Sequence, residues 1–327
     1  MNQINLFLSS IRSEYTKKMY ECSLKQYGYE KLQIQEPKLV EKEIIDYIIF
    51  LKQQGKSYSV IHNYVSAIKA FYQINDVVLN VRKISKFLPE YRKVKKDRAY
   101  THEEISRLLE ISDERMRAIV LLLASSGMRI GAVPFIKLRN VENMENIAKI
   151  TVYEGTKEEY FTFITPECRK AIDNYMDMRL RYGEKLNDNS YLIREQFDLK
   201  DPTSKPKQTK SNTMSVKLIS MSERIGIRNQ GIPAAHGFRK FFTTQLVNSR
   251  VNPEIREMLL GHDIGLAGAY YKPTVEEMFA EYEKAIDNLT IDPTNRLQRK
   301  IETLTIEKSR LDRIEEKMFK MEQMYQK

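Results

Sequence analysis

Residues 236–271 read HGFRKFFTTQLVNSRVNPEIREMLLGHDIGLAGAYY. Three groups stand out: His236-Gly-Phe-Arg239, Leu260-Gly-His262 and Tyr270-Tyr271. His236 and Arg239 are three apart, so a helix there puts both on one face. Such a face suits a phosphate, because arginine is a permanently charged bidentate clamp and histidine exchanges a proton near neutrality. Asn252-Pro253 opens a further helix that Gly261 ends, which sets His262 just past its C-terminus.

The sequence on either side is mostly helical, with one small sheet expected. Upstream, Thr101-His-Glu-Glu104 fits a capping box. Leu108, Leu109 and Ile111 follow, then a strongly apolar helix from Met116 to Ala124. Residues 148–153 and 159–164 alternate like strands, and Glu154-Gly-Thr-Lys157 joins them as a hairpin. Helices are also predicted over 166–182, 211–225, 236–249 and 253–261. In the first ninety residues, Val60, Ile61, Tyr64, Val65, Ile68 and Phe71 recur at helical spacing. Val40 to Leu51 offers Ile44, Ile45, Ile48 and Ile49 on a broad apolar side, ended by Gly55 and Lys56. Between the two helical regions, PEYRKVKKDRAY (89–100) is basic and without period, a linker whose Arg92, Lys93, Lys95, Lys96 and Arg98 are free to follow a phosphate backbone. Beyond Asp292-Pro293, the residues Leu297, Ile301, Leu304, Leu311, Ile314, Met318, Met321 and Tyr325 keep a 3/4 spacing with one irregular step. That pattern predicts a long helix with a coiled-coil-like seam, a partner-binding or self-packing element rather than a DNA reader.

Composition narrows the class. The 327 residues are 42% hydrophobic and 30% charged, enough for two packed domains and unlike a disordered chain. Net charge is +10, and residues 1–96 hold 17 Lys/Arg against 9 Asp/Glu, a net of +8. A basic module of this kind favours nucleic acid as partner. Cys22 and Cys168 are the only cysteines, too few for a disulfide framework or a cysteine-rich zinc site. No apolar run is long enough to span a membrane, the N-terminus lacks a secretory signal, and a cytoplasmic location is the default expectation.

Taken singly, each candidate has a bland reading: a solvated lysine in a turn, a helix-end histidine, a packed tyrosine pair. Together and in order they resemble the tyrosine recombinase family of phage and archaeal-type integrases. His-x-x-Arg, Leu-Gly-His and a tyrosine nine residues later look like that family's C-terminal active-site box. Ser125-Ser-Gly-Met-Arg129 resembles the helix carrying its first arginine, Lys157 matches its hairpin lysine, and Gly55-Lys-Ser57 to Phe71-Tyr72 resembles its helical core-binding domain. The resemblance covers roughly residues 10–285. It implies a mainly α fold with a small β-sheet. A helical, SAM-like core-binding domain (1–90) and a basic linker (91–100) would precede an α+β catalytic domain (101–290) and a long C-terminal helix (291–327).

The resemblance also implies a chemistry. Arg129 and Arg239 would clamp the scissile phosphate and His262 would donate to it. Tyr271 would attack to give a 3′-phosphotyrosyl link, Lys157 would protonate the leaving 5′ oxygen, and His236 would take the tyrosyl proton or hold the phosphate. No cofactor and no metal is implied, and the partners would be double-stranded DNA and further copies of the chain, four in a synapse. One position departs from the family: the acidic residue usual three after the first arginine is Ala132 here. Orientation of the catalytic histidine must then come from elsewhere. Two other readings share part of the pattern, a type IB topoisomerase-like enzyme that relaxes supercoils and a DNA-binding protein without catalysis. Relaxation against recombination assays separate the first, and the intact set of six residues argues against the second.

Overall fold

The structure is a computed structural model that describes residues 3–91, 97–144, 147–196, 207–228 and 230–325. Within 89–100, the cations Arg92, Lys93, Lys95 and Lys96 lie outside the described residues. The chain divides into two compact units, Met1–Lys95 and Lys96–Lys327.

The first unit is helical: α1 (Gln3–Ser10), α2 (Glu14–Tyr27), α3 (Pro37–Gln53), α4 (Tyr58–Ile74) and the short α5 (Val81–Ser85). Its core joins Leu24 of α2, Val40, Ile44 and Ile48 of α3, and Ile61, Val65, Ile68 and Phe71 of α4, all buried. The 3/4 stripe on α4 is therefore core. Its flanks, Val60 and Tyr64, are half-buried, and Ile49 on α3 is exposed rather than part of the apolar side. Glu41 ties α5 back to α3, accepting from the Asn80 N–H at 2.8 Å and from Lys83 Nζ at 2.9 Å. These two bonds hold the buried carboxyl below its ordinary pKa.

The second unit begins with α6 (His102–Glu110), started by the expected capping box: Thr101 Oγ1 accepts from the Glu104 N–H and the Glu104 carboxylate accepts from the Thr101 N–H. Arg98 is not free for a ligand as the linker reading supposed. Its guanidinium makes a two-pronged pair with Glu104, at 2.8 and 2.5 Å, and donates to Gln230 Oε1 at 2.9 Å. A carboxylate already fixed by its capping role is a ready bidentate partner for an arginine six residues upstream.

α7 (Glu114–Ser126) is buried at every residue from Ala118 to Ser126 and packs against α6, α8, α10 and the sheet. A three-stranded antiparallel sheet follows in the order β1 (Val141–Met144), β2 (Ile147–Val152), β3 (Tyr160–Ile164). The β2–β3 hairpin matches the sequence reading, with Val152 opposite Tyr160 and Gly155 at φ +74° in its turn. β1 was not anticipated: its Val-Glu-Asn-Met is too short and too polar for an alternation signal. α8 (Pro166–Arg181), α9 (Ser211–Arg224), α10 (His236–Asn248) and α11 (Pro253–Leu259) then pack the core, followed by α12 (Ala267–Tyr270), α13 (Val275–Glu283) and α14 (Ile286–Leu289). The final helix, α15 (Pro293–Tyr325), runs 33 residues. Leu297, Ile301, Leu304, Leu311, Ile314 and Met318 of its seam are all exposed. The side chains of Met321 and Tyr325 lie outside the described ones. The architecture is mainly α with one small sheet, as the sequence predicts, and no helix among the described residues is long and apolar enough to cross a membrane.

Candidate active site

The end of α7 sets the first arginine. Gly127 adopts φ +62°, stops the helix, and lies so close to Phe242 that an added Cβ would meet the ring at 2.2 Å. Arg129 therefore sits in the loop just past the helix and not on it, and its side chain is exposed. The backbone leading to it is held by three distant side chains. Tyr282 Oη donates to the Ser125 carbonyl at 2.8 Å, Thr162 Oγ1 to the Ser126 carbonyl at 3.2 Å, and Arg239 to the Gly127 carbonyl at 2.8 Å. The carbonyls that a helix end leaves without partners thus acquire them from α13, β3 and α10.

Arg239 is the centre of the site and is 6% exposed. One terminal nitrogen donates to Gly127; the other donates to the Leu260 carbonyl at 2.6 Å and faces His262 Nε2 at 2.7 Å. Burial first, and then the Arg129 charge, lower its pKa from the ordinary value. A guanidinium remains charged under such pressure, so the pair forms a concentrated positive site that an anion would relieve.

His236 is the first residue of α10 and lies one turn from Arg239, as the spacing predicts. The following residue must be glycine, since a Cβ on Gly237 would press on Tyr100 and Ile232 at 2.7 Å. Partial burial, then Lys240 and Arg239, push the His236 pKa below its ordinary value, with Asp97 pulling the other way. Lys240 is ion-paired with Asp97. Asp97, His236, Arg239, Lys240 and His262 line one open cavity of about 380 Å³.

His262 stands where the sequence places it. Gly261, at φ +64°, turns the chain at the end of α11, and the Tyr160 ring fills the place a Cβ would take, at 2.5 Å. The Gly261 N–H donates to the Met258 carbonyl and the His262 N–H to the Glu257 carbonyl, at 2.9 and 3.0 Å, a Schellman turn. The imidazole Nδ1 meets Glu257 Oε2 at 2.6 Å. Glu257 was missed in the sequence. The signal for it is a carboxylate five residues before the histidine across a Leu-Gly helix end, a separation that the Schellman turn closes.

Two candidates are not drawn into this cluster. Lys157 is exposed in the β2–β3 turn, and the hydrogen bonds and ion pairs found among the described residues do not include it. Tyr271 follows α12 and is 36% exposed, against 88% for Tyr270. What burial it has, and then the charges of Glu277, Glu281 and Glu254, raise its phenol above the ordinary value. The nucleophile candidate thus rests in acidic company. The remaining histidines serve packing: His102 Nε2 bonds the Asn288 carbonyl at 2.8 Å, and His62 stacks on Tyr58. No cluster of metal-ligating side chains occurs among the described residues.

This fold has known counterparts. The chain is 24% identical to tyrosine recombinase XerA of Pyrococcus furiosus over 259 residues, 76% of this chain and 82% of the relative. It is 23% identical to tyrosine recombinase XerC of Staphylococcus aureus over 311 residues, 87% of this chain and 97% of the relative. Its architecture is similar to that of the Tn1549 transposon integrase solved with transposon right end DNA, with a TM-score of 0.60 at 17% identity, covering 87% of this chain and 99% of that one. It is also similar to a lambda integrase tetramer solved on a Holliday junction, with a TM-score of 0.59 at 16% identity, covering 83% and 75% of the two chains. The profile of the Phage integrase family matches residues 98–277, more than half of the chain and the whole stretch from Arg98 through the site to α13. The chain belongs to the phage integrase family, the tyrosine recombinases.

Proposed function

We propose that the chain is a site-specific DNA recombinase that cuts and rejoins strands through Tyr271. The observation that carries this reading is the buried Arg239 guanidinium, placed by α10 beside His262 in one open cavity, within reach of the Arg129 charge and with no carboxylate among the hydrogen bonds it makes. A phosphodiester fits such a site by charge and by hydrogen bonding. Phosphoryl transfer needs charge stabilisation on the non-bridging oxygens, an in-line nucleophile and a proton for the leaving oxygen. Arg129 and Arg239 supply the charge and His262 a further hydrogen bond. Tyr271 Oη forms the new bond to phosphorus, the bond from phosphorus to the 5′ oxygen breaks, and Lys157 gives that oxygen its proton. The tyrosyl proton passes to His236, which its burial and its cationic neighbours keep neutral and ready to accept. Attack by another strand's 5′-hydroxyl reverses the step without an energy source.

Burial and the charges of Glu277, Glu281 and Glu254 raise the Tyr271 phenol, and the positive charge of Arg129 and Arg239 would favour its ionised form as it attacks. Double-stranded DNA is the partner, with several copies of the chain joined on two duplexes, four by analogy with the lambda integrase assembly. The two thiols, Cys22 and Cys168, are unpaired, which suits a reducing cytoplasm. The test is a nicked suicide substrate, from which the 5′-hydroxyl strand diffuses away after cleavage. The protein should form a covalent adduct on it and resolve paired sites in a recombination assay. Relaxation of supercoils without strand exchange between sites would assign it to a topoisomerase instead.

A further inference from the structure

We infer that Glu257 is the positioning carboxylate of His262: it fixes the ring's plane and tautomer, and it balances the charge His262 takes on when it meets a phosphate. The inference rests on the reading of His262 as a phosphate ligand. The tautomer follows from the inventory of donors. His262 Nε2 faces an Arg239 nitrogen at 2.7 Å, and a guanidinium has donors only. Nε2 therefore accepts, and the single proton of the neutral ring lies on Nδ1. That proton is donated to Glu257 Oε2 at 2.6 Å. Nothing in this derivation needs the ring to be charged.

Glu257 is itself held. Its other oxygen accepts from Arg256 Nε at 3.2 Å, and its backbone carbonyl accepts the His262 N–H. Burial alone would raise its pKa, but the bonds from His262 and Arg256 outweigh it and hold the carboxyl below the ordinary range. It is an anion at neutral pH, gripping one histidine by both backbone and side chain. Ala132, three after Arg129, is buried and has no carboxylate to offer. The carboxylate bonded to His262 comes from α11.

A phosphate changes the roles. Its oxygens only accept, so His262 donates to it through Nε2 only after taking up a proton there from solvent, as Arg239 turns its own N–H toward the phosphate. The charged or titratable groups around the ring are His236, Arg239 and Lys240 on α10, Asp97 and Arg98 before α6, Arg256 and Glu257 on α11, and Tyr160 on β3. Among these, Glu257 bonds the ring itself and opposes the cationic side, so the imidazolium forms against an anion already in place. Carboxylates that orient metal-bound histidines in this way change activity by about 10–100-fold when removed, and an effect of the same order is expected here.

The test uses the full chain. In ¹⁵N-histidine spectra of the free protein, His262 should show a protected Nδ1–H and an unprotonated Nε2. The Nδ1–H resonance should survive Glu257→Gln, which keeps an acceptor, and be lost to exchange in Glu257→Ala. On a suicide substrate at saturating protein, Glu257→Ala should slow cleavage about 10–100-fold with DNA affinity nearly unchanged, and Glu257→Gln less. In a His262→Ala background, Glu257→Ala should add nothing. Persistence of the Nδ1–H resonance in Glu257→Ala overturns the proposal, as does an equal slowing in both backgrounds. If the wild-type chain forms no adduct at all, the recombinase reading fails, and the resonances still decide the Glu257–His262 pair.

Discussion

At the scale of single residues, the proposed roles of the cations and of Tyr271 can be tested one by one. Tyr271→Phe should abolish the covalent adduct on a suicide substrate while DNA binding, measured by mobility shift, stays within about twofold of wild type, since one exposed hydroxyl carries little affinity. Adduct that survives in Tyr271→Phe and disappears in Tyr270→Phe would reassign the nucleophile within the pair. Lys157→Ala should block cleavage of an ordinary strand but not of one with a 5′-bridging sulfur, a leaving group that needs little protonation. Equal loss on both substrates would give Lys157 a binding role. The pH dependence follows from His236. Its pKa is lowered by burial and by Lys240 and Arg239, so its neutral, proton-accepting form persists below the ordinary histidine range and is lost only as pH falls further. Lys240→Ala removes one of the lowering charges, and the acid limb of the cleavage-rate profile should move to higher pH. A limb that stays in place would separate His236 from the proton transfer.

At the scale of elements, the end of α7 and the last helix, α15, have separate parts. The α7 end carries Arg129 and depends on Gly127, where φ is +62° and Phe242 occupies the space a side chain would need. Gly127→Ala combines about 1 kcal/mol of backbone strain with about 1–3 kcal/mol of overpacking. The midpoint of thermal unfolding should fall by several degrees, which calorimetry checks. The other element is α15. Its attachment is specific: Glu167 accepts the N–H groups of Ile291 and Asp292 at 2.7 and 2.9 Å, and Arg299 pairs with Asp287 at 3.0 Å. Leu289 and Ile291 are buried in the second unit, so a truncation that tests the helix must fall beyond them. Ending the chain after Lys300 should leave unfolding and single-strand cleavage unchanged. It should reduce complete recombination, because the exposed seam from Leu304 to Met318 is lost with whatever copy it packs against. Loss of cleavage together with recombination would mean instead that the helix supports its own site. Sedimentation of the full chain with and without DNA distinguishes the two.

At the scale of the whole molecule, charge is divided as the work is. The first 96 residues hold a net of +8 of the total +10, yet the site cations lie in the second unit. A chain starting at Asp97 should keep the site and lose much of the non-specific affinity. The slope of log affinity against log salt should flatten as phosphate contacts are removed, by roughly 0.9 for each. An unchanged slope would place the DNA contacts on the second unit alone.

What the sequence determined by itself was local. The capping box at Thr101, the glycine stop at Gly261 and the proline start of α11 are each decided within a few residues, and so their elements were legible. The same holds for the buried stripe on α4 and for the motif positions 129, 157, 236, 239, 262 and 271, whose spacing is a property of the chain. The tertiary structure decided what those side chains meet. The carbonyls at 125, 126 and 127 are satisfied by Tyr282, Thr162 and Arg239, which lie 157, 36 and 112 residues away. Arg98 is taken by Glu104 and Gln230, and the Tyr271 phenol feels the charges of Glu277, Glu281 and Glu254. The physical reason is one of range. Periodicity and caps report the bonds a segment makes with itself, whereas a buried donor takes the acceptor that packing brings to it, and packing closes loops whose lengths no local pattern records.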